Sequence, residues 1–169
     1  GFVAYSNASV TNTSGGAITI SGTAGSAANS GGVAIDTTAS VTSTAADISI
    51  TAVATTTEPI YLNAGTISSG SGNLSLQTDG TSFSGSAVIS GTGVLTIQPT
   101  TASTTIGLGA SASGTLNLNA TELGFIADGF SSITFGKSDG SGDIDIRAYT
   151  YKDPVTFRAP TGDGDVTVN

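Results

Sequence analysis

Ser132-Ile133-Thr134-Phe135 returns 22 residues later as Pro154-Val155-Thr156-Phe157, and Gly140-Ser141-Gly142-Asp143-Ile144-Asp145-Ile146 returns at the same interval as Gly162-Asp163-Gly164-Asp165-Val166-Thr167-Val168. A return that keeps apolar positions, glycines and one aspartate at a fixed offset is the signature of stacked structural repeats, each copy one coil of backbone. Within the copies Ile133 and Phe135 flank Thr134, Ile144 and Ile146 flank Asp145, Val155 and Phe157 flank Thr156, and Val166 and Val168 flank Thr167. That is the period of two of half-buried strands, apolar side chains in and polar ones out. One turn of 22 residues places Ile133 under Val155, Phe135 under Phe157, Ile144 under Val166 and Ile146 under Val168, about 4.8 Å apart along the axis. These eight residues are the expected core stack. Between them, Asp139-Gly140-Ser141-Gly142 and Pro160-Thr161-Gly162-Asp163-Gly164 supply sharp corners.

Working outward, the apolar pairs Ile18/Ile20, Val33/Ile35, Ile48/Ile50, Ile60/Leu62, Leu74/Leu76, Leu95/Ile97, Ile106/Leu108 and Leu116/Leu118 continue the alternation less regularly, many of them introduced by glycine and a small residue. Short strands at such spacing also suit a sandwich or barrel, and the 22-residue return decides between them. The expected fold is therefore all-β, a parallel β-helix (β-solenoid) with about 22 residues per coil and about seven coils, as a single domain over 1–169. Residues 1–14 read as an amino-terminal arm or first strand. Residues 119–130 break the repeat and read as an insertion forming a third strand or a bulged loop.

Composition supports this choice. Thr, Val and Ile suit strands, Ser and Asn suit corners, and no stretch has sustained helical periodicity. Abundant Gly, Ser and Thr also occur in disordered chains, but 37% hydrophobic residues placed in alternating pairs argue for burial. With no Cys, there are no disulfide staples and no thiolate metal sites. No segment reaches the apolar length of a membrane span. The chain contains no methionine, so residue 1 is read as the start of a processed chain or of a piece of a longer one.

Charge is uneven. Lys137, Arg147, Lys152 and Arg158 are the only basic residues, and all lie in the last third. A net charge of −8 without a basic stripe speaks against nucleic acid and acidic membranes. The nearly uncharged first part reads as a neutral hydroxyl-rich wall facing sugars, water or other copies of itself.

Several residues invite a chemical reading. Asp139, Asp143, Asp163 and Asp165 cluster with glycines at corners, as the oxygen ligands of a calcium site do. The calcium-binding nonapeptide places its aspartate two residues after the last glycine, whereas Asp143 and Asp165 follow Gly142 and Gly164 directly. The aspartates are therefore read first as hydrated corners and only weakly as calcium ligands; no cofactor is expected. Pairs such as Asp143/Asp145 or Asp163/Asp165 resemble the acid and base of a polysaccharide-cleaving enzyme, but residues two apart at a strand start usually point to different faces, and the chain has no His. No enzyme activity is expected. Phe2, Tyr5, Tyr149 and Tyr151 are candidates for contact with another subunit or a glycan.

The run Gly129-Phe130-Ser131-Ser132-Ile133-Thr134-Phe135-Gly136-Lys137-Ser138-Asp139-Gly140-Ser141-Gly142-Asp143-Ile144, with Asp153-Pro154-Val155-Thr156-Phe157-Arg158-Ala159-Pro160-Thr161-Gly162-Asp163-Gly164, resembles the repeat units of giant bacterial surface proteins related to filamentous haemagglutinins, in a style found especially in cyanobacteria. The resemblance implies an exported right-handed parallel β-helix serving in adhesion, surface layers or extracellular fibres. The final residues are a repeat strand in mid-pattern with no cap. Continuation in a longer chain, or docking on the start of another copy, is expected there. The expected function is a structural unit of an extracellular or cell-surface fibre, filament or adhesin; the alternative is a carbohydrate-binding or carbohydrate-cleaving β-helix acting on cell-surface glycans.

Overall fold

The computed structural model describes residues 1–25, 31–54 and 59–169. The chain is nearly all-β, and every strand pairing among the described residues is parallel. Strands β1 (Phe2–Ala4), β2 (Ser9–Asn12) and β3 (Ile18–Thr23) are followed by β4 (Val33–Asp36), β5 (Ser40–Ser43) and β6 (Ile48–Val53). Then come β7 (Ile60–Asn63), β8 (Thr66–Ser68) and β9 (Leu74–Thr78), and β10 (Thr81–Ser84), β11 (Val88–Ser90) and β12 (Val94–Gln98). Successive strands go to successive sheets. The first sheet is β1-β4-β7-β10, the second β2-β5-β8-β11, and the third begins β3-β6-β9-β12. Parallel neighbours cannot be joined by a hairpin, so each strand hands the chain to the next sheet before it returns.

The second half adds β13 (Ile106–Leu108), β14 (Leu116–Leu118), helix α1 (Ala120–Gly124), β15 (Ser132–Phe135), β16 (Ile144–Ile146), β17 (Val155–Phe157) and β18 (Val166–Val168). Strands β15 and β17 extend the third sheet to six strands, and a fourth sheet runs β14-β13-β16-β18. In that sheet β14, although later in the chain, lies on the far side of β13 from β16. Only residues 109–115 connect β13 to its parallel neighbour. The turn is possible because Gly114 lies against the β13 backbone, where a Cβ would come within 2.3 Å of the Gly107 nitrogen.

The alternation read from the sequence is the burial pattern of the strands. Ile48, Ile50, Leu74, Leu76, Leu95 and Ile97 are fully covered, while Ser49, Ser75 and Thr96 between them face outward. Like residues stack on like across the sheets: Ile48 pairs with Ile18 and Leu74, and Ile97 with Leu76 and Phe135. Phe135 is among the largest fully buried side chains.

Two sequence expectations need correction. First, the 22-residue interval is not general: it occurs between β8 and β11 and in the last part of the chain, while other pairings use other spacings. Phe2 pairs with Val33, 31 positions on; Val33 with Ile60, 27 on; Ile60 with Thr81, 21 on; Leu95 with Ile133, 38 on; and Ile133 with Val155, 22 on. The longest sheet therefore has six strands where seven equal coils were expected. Parallel register fixes only the strands, so the corners between them are free to lengthen. The 38-residue interval absorbs β13, β14 and α1.

Second, residues 119–130 form neither a third strand nor a bulged loop. They hold the short helix α1, where the Asn119 side chain accepts the N–H groups of Thr121 and Glu122 and the Glu122 carboxylate reaches back to the Asn119 N–H. This reciprocal cap satisfies the helix's first donors locally. After it, Ile126 makes an isolated parallel bridge to Ile89. The amino-terminal segment, read as an arm or first strand, contains β1 and β2, which pair with β4 and β5.

The corner between the first and second sheets is built alike at four levels. Ser6 and Asn7, Thr37 and Thr38, Ala64, and Gly85 all adopt positive φ, between 50° and 67°. Side-chain bonds link successive levels at this corner. Thr38 Oγ1 donates to Asn7 Oδ1 (2.6 Å), Asn63 Nδ2 to Asp36 Oδ1 (2.8 Å), and Ser84 Oγ to Asn63 Oδ1 (3.2 Å).

Candidate functional site

The repeat region places the eight stacked residues in two ladders. Ile133 pairs with Val155 and Phe135 with Phe157 in the third sheet; Ile144 pairs with Val166 and Ile146 with Val168 in the fourth. Burial decreases along each ladder. Ile133, Phe135, Ile144 and Ile146 are buried and Val155 and Phe157 half-buried, while Val166 and Val168 are 38% and 74% exposed. Among the described residues β17 and β18 have a paired neighbour on one side only, so the last members of the ladders lack a layer above them.

Tyr151 closes the aromatic end of this core. Its ring lies 5.9 Å from Phe135 and 5.7 Å from Phe157, and Tyr149 meets it edge-on at 5.0 Å. Burial, with a smaller contribution from Tyr149, pushes the Tyr151 phenol up to about 12; burial also raises Tyr149. Of the four aromatics offered for external contact, these two and Phe2 pack onto the core. Phe2 is half-buried on β1, and Tyr5 is 57% exposed. A narrow cleft lined by Leu123, Ile126, Ile133, Tyr149, Tyr151, Lys152 and Asp153 has room for about one water, too little for a sugar ring.

The corner aspartates do not converge. Asp139 binds Lys137 Nζ at 2.6 Å, which holds its carboxyl below the usual range. Asp143 accepts the N–H of Asp165 at 3.0 Å, and the Asp163 and Asp165 side chains lie at exposed positions. Asp145 accepts the Ser113 N–H (3.0 Å) and Arg147 Nε (2.9 Å), and these contacts depress its pKa. Among the described residues no three His, Cys, Asp or Glu side chains group as a metal site would require. No helix among them is long and apolar enough to cross a membrane.

Two carboxylates that sequence reasoning passed over each accept several hydrogen bonds. Asp79 accepts the N–H groups of Thr100 (2.8 Å) and Thr101 (2.9 Å), the hydroxyls of Thr101 (2.7 Å) and Thr104 (3.0 Å), and the Thr100 hydroxyl. Partial burial raises its pKa, and these donors together outweigh it, so the net direction is down. Glu122 is buried; its Oε1 accepts the Phe83 N–H (3.1 Å) and its Oε2 the Asn119 backbone and side-chain N–H groups. The spacing Asn119-x-x-Glu122 was a readable capping signal. Nothing local announces the partners of Asp79, which lie 21 to 25 positions away.

The outer surface of the third sheet carries a different arrangement. Thr19, Ser49, Ser75, Thr96, Thr134 and Thr156 are register neighbours across all six strands. Beside them run Ser21, Thr51, Gln77 and Gln98 across four strands. Compared with known proteins, the chain matches no family model, no curated protein and no solved structure.

Proposed function

We propose that the chain is a length of parallel β-helix that serves as a structural element of an extracellular or cell-surface fibre, filament or adhesin, with no catalytic role. The rotation of strands through three sheets, each strand paired in parallel with its counterpart a level away, supports a winding of the backbone around a shared apolar interior. The resemblance of residues 129–164 to haemagglutinin-type surface repeats favours an exported protein.

The observation that carries the structural role is the pair of open strand edges. Strands β1, β2 and β3 are the outer strands of the first three sheets on one side, and β17 and β18 are outer strands on the other. Among the described residues these outer strands have no further neighbour, and exposed apolar side chains lie beside them, Val3 and Tyr5 at one edge and Val166 and Val168 at the other. Such edges are templates for a further parallel strand. The strand comes either from a longer repeat chain or from a second copy, and either way the product grows in length.

Electron microscopy of the purified chain over a range of concentrations tests this. Filaments or rods that lengthen with concentration, and that are lost in Val168→Lys, are the expected result. Dispersed particles at every concentration, together with cleavage of a polysaccharide, would overturn the reading.

A further inference from the structure

We propose that the outer face of the six-stranded sheet is a binding surface for a single extended chain of uncharged polysaccharide, laid across the strands along the direction in which they stack. The first column, Thr19, Ser49, Ser75, Thr96, Thr134 and Thr156, presents a hydroxyl at each strand. At the strand spacing of about 4.8 Å it is about 24 Å long. The second column, Ser21, Thr51, Gln77 and Gln98, stands about 7 Å to the side, two residues further along the same strands.

Four observations point to this occupant. First, the two columns contain no charged side chain, which suits an uncharged polymer better than a charged one. Asp47, Asp79 and Arg158 stand at the margins, two residues from Ser49, Gln77 and Thr156.

Second, none of the ten side chains makes a hydrogen bond within the described residues, whereas hydroxyls on the second sheet bond one another: Ser9 to Thr11 at 2.8 Å, Thr11 to Thr42 at 3.2 Å and Ser40 to Ser9 at 3.1 Å. The third-sheet hydroxyls are both donors and acceptors with their capacity unused, which matches a polymer whose own hydroxyls do both.

Third, although Thr134 is only 9% exposed, its hydroxyl oxygen is not sealed off from the surface; it lies in the middle of the column between Thr96 and Thr156, where an occupant of the face can bond it. Fourth, the area decides against a second copy of this chain. A strip of about 24 Å by 7 Å, on the order of 250 Å² with its margins, is well below the roughly 800 Å² per partner of a stable protein interface. A single polymer chain needs only that width.

The test is affinity electrophoresis of the intact chain in gels containing dextran, xyloglucan or galactomannan, with dextran sulfate and alginate as charged counterparts. At least one neutral polymer is expected to retard the protein, and the charged ones to leave its mobility unchanged. Ser75→Asp/Thr96→Asp is expected to weaken that retardation at least fivefold, while Thr42→Asp on the second sheet leaves it intact. Circular dichroism and melting confirm that both variants remain folded. If Ser75→Asp/Thr96→Asp fails to fold, Ser75→Ala/Thr96→Ala carries the same expectation.

Absence of retardation by all three neutral polymers overturns the proposal, as does equal retardation of the central variant. A concentration-dependent dimer abolished by that variant would also overturn it, since the face would then belong to a second copy. Filaments seen alongside failed retardation would sink this inference and leave the structural role standing.

Discussion

The ring of Phe157 lies on that of Phe135, with centroids 6.1 Å apart and planes 15° from parallel, and Tyr151 is wedged against both. The two phenylalanines are paired residues of adjacent parallel strands, so the ring contact reads out the register directly. Phe135 is fully buried and Phe157 half-buried. Phe135→Ala is expected to cost about 3–5 kcal/mol and Phe157→Ala clearly less. Denaturant unfolding of the two variants checks the order; equal losses would contradict the burial gradient.

Tyr151 sits in this cluster with its hydroxyl buried and no hydrogen-bond partner among the described residues. Removing an unpaired hydroxyl costs nothing and recovers desolvation energy, so Tyr151→Phe is expected to be neutral or stabilising by about 1 kcal/mol at pH 7. The same burial sets the alkaline behaviour. A phenol whose folded pKa of about 12 exceeds its ordinary 10 contributes stability that is intact below pH 10 and lost as pH rises toward 12, because the unfolded chain ionises first. Melting temperatures from pH 9 to 12 should fall less steeply in Tyr151→Phe than in the parent.

Asp79 has the opposite sign. Its folded pKa lies below the ordinary 3.8, so its contribution is present above that value and is lost as pH falls below it through the folded pKa. Asp79→Asn keeps an acceptor but turns an amide N–H toward the threonine donors. About 1–2 kcal/mol of stability is expected to go at pH 7, discounted because the carboxylate is only partly shielded. The difference between variant and parent should shrink in melts below pH 3.

Glu122 ties α1 to β10 through the Phe83 N–H. Glu122→Ala leaves that buried donor and the Asn119 N–H without their carboxylate, at a cost of about 2–3 kcal/mol. Glu122→Gln retains an acceptor and should lose less. Hydrogen exchange provides the specific readout: the Phe83 amide should lose protection in Glu122→Ala while amides of the third sheet keep theirs.

At the repeated corner, Ala64 has φ of +52° where the next level uses Gly85 at +66°. A left-handed alanine costs roughly 1–2 kcal/mol, against the 0.5–1 kcal/mol that glycine loses through extra freedom in the unfolded chain. Ala64→Gly is therefore expected to stabilise by about 0.5–1 kcal/mol and Gly85→Ala to destabilise by about 1 kcal/mol or more. Paired thermal melts measure both, and a destabilising Ala64→Gly would refute the strain argument.

The alternation of apolar and polar residues was legible in the sequence because it is a local property: Ile133-Thr134-Phe135 states by itself which side chains face inward, and its return at Val155-Thr156-Phe157 states the parallel register of those two strands. Where corners vary in length, that logic runs out. Nothing around Phe2 indicates that Val33 is its partner, nor that β14 slips in on the far side of β13, because strand order depends on how far each connection travels before the backbone is satisfied. The helix at Ala120–Gly124 was written in Asn119 and Glu122, but the Phe83 N–H that Glu122 also binds was not. Asp79 is the extreme case, since its threonine donors come together only when residues 100–104 are folded back over it. In-and-out patterning is a one-residue decision made by side-chain hydrophobicity. Which layer lies on which, and which carboxylate is caged, are set by hydrogen-bond geometry between segments far apart in the chain, and only the tertiary structure decides them.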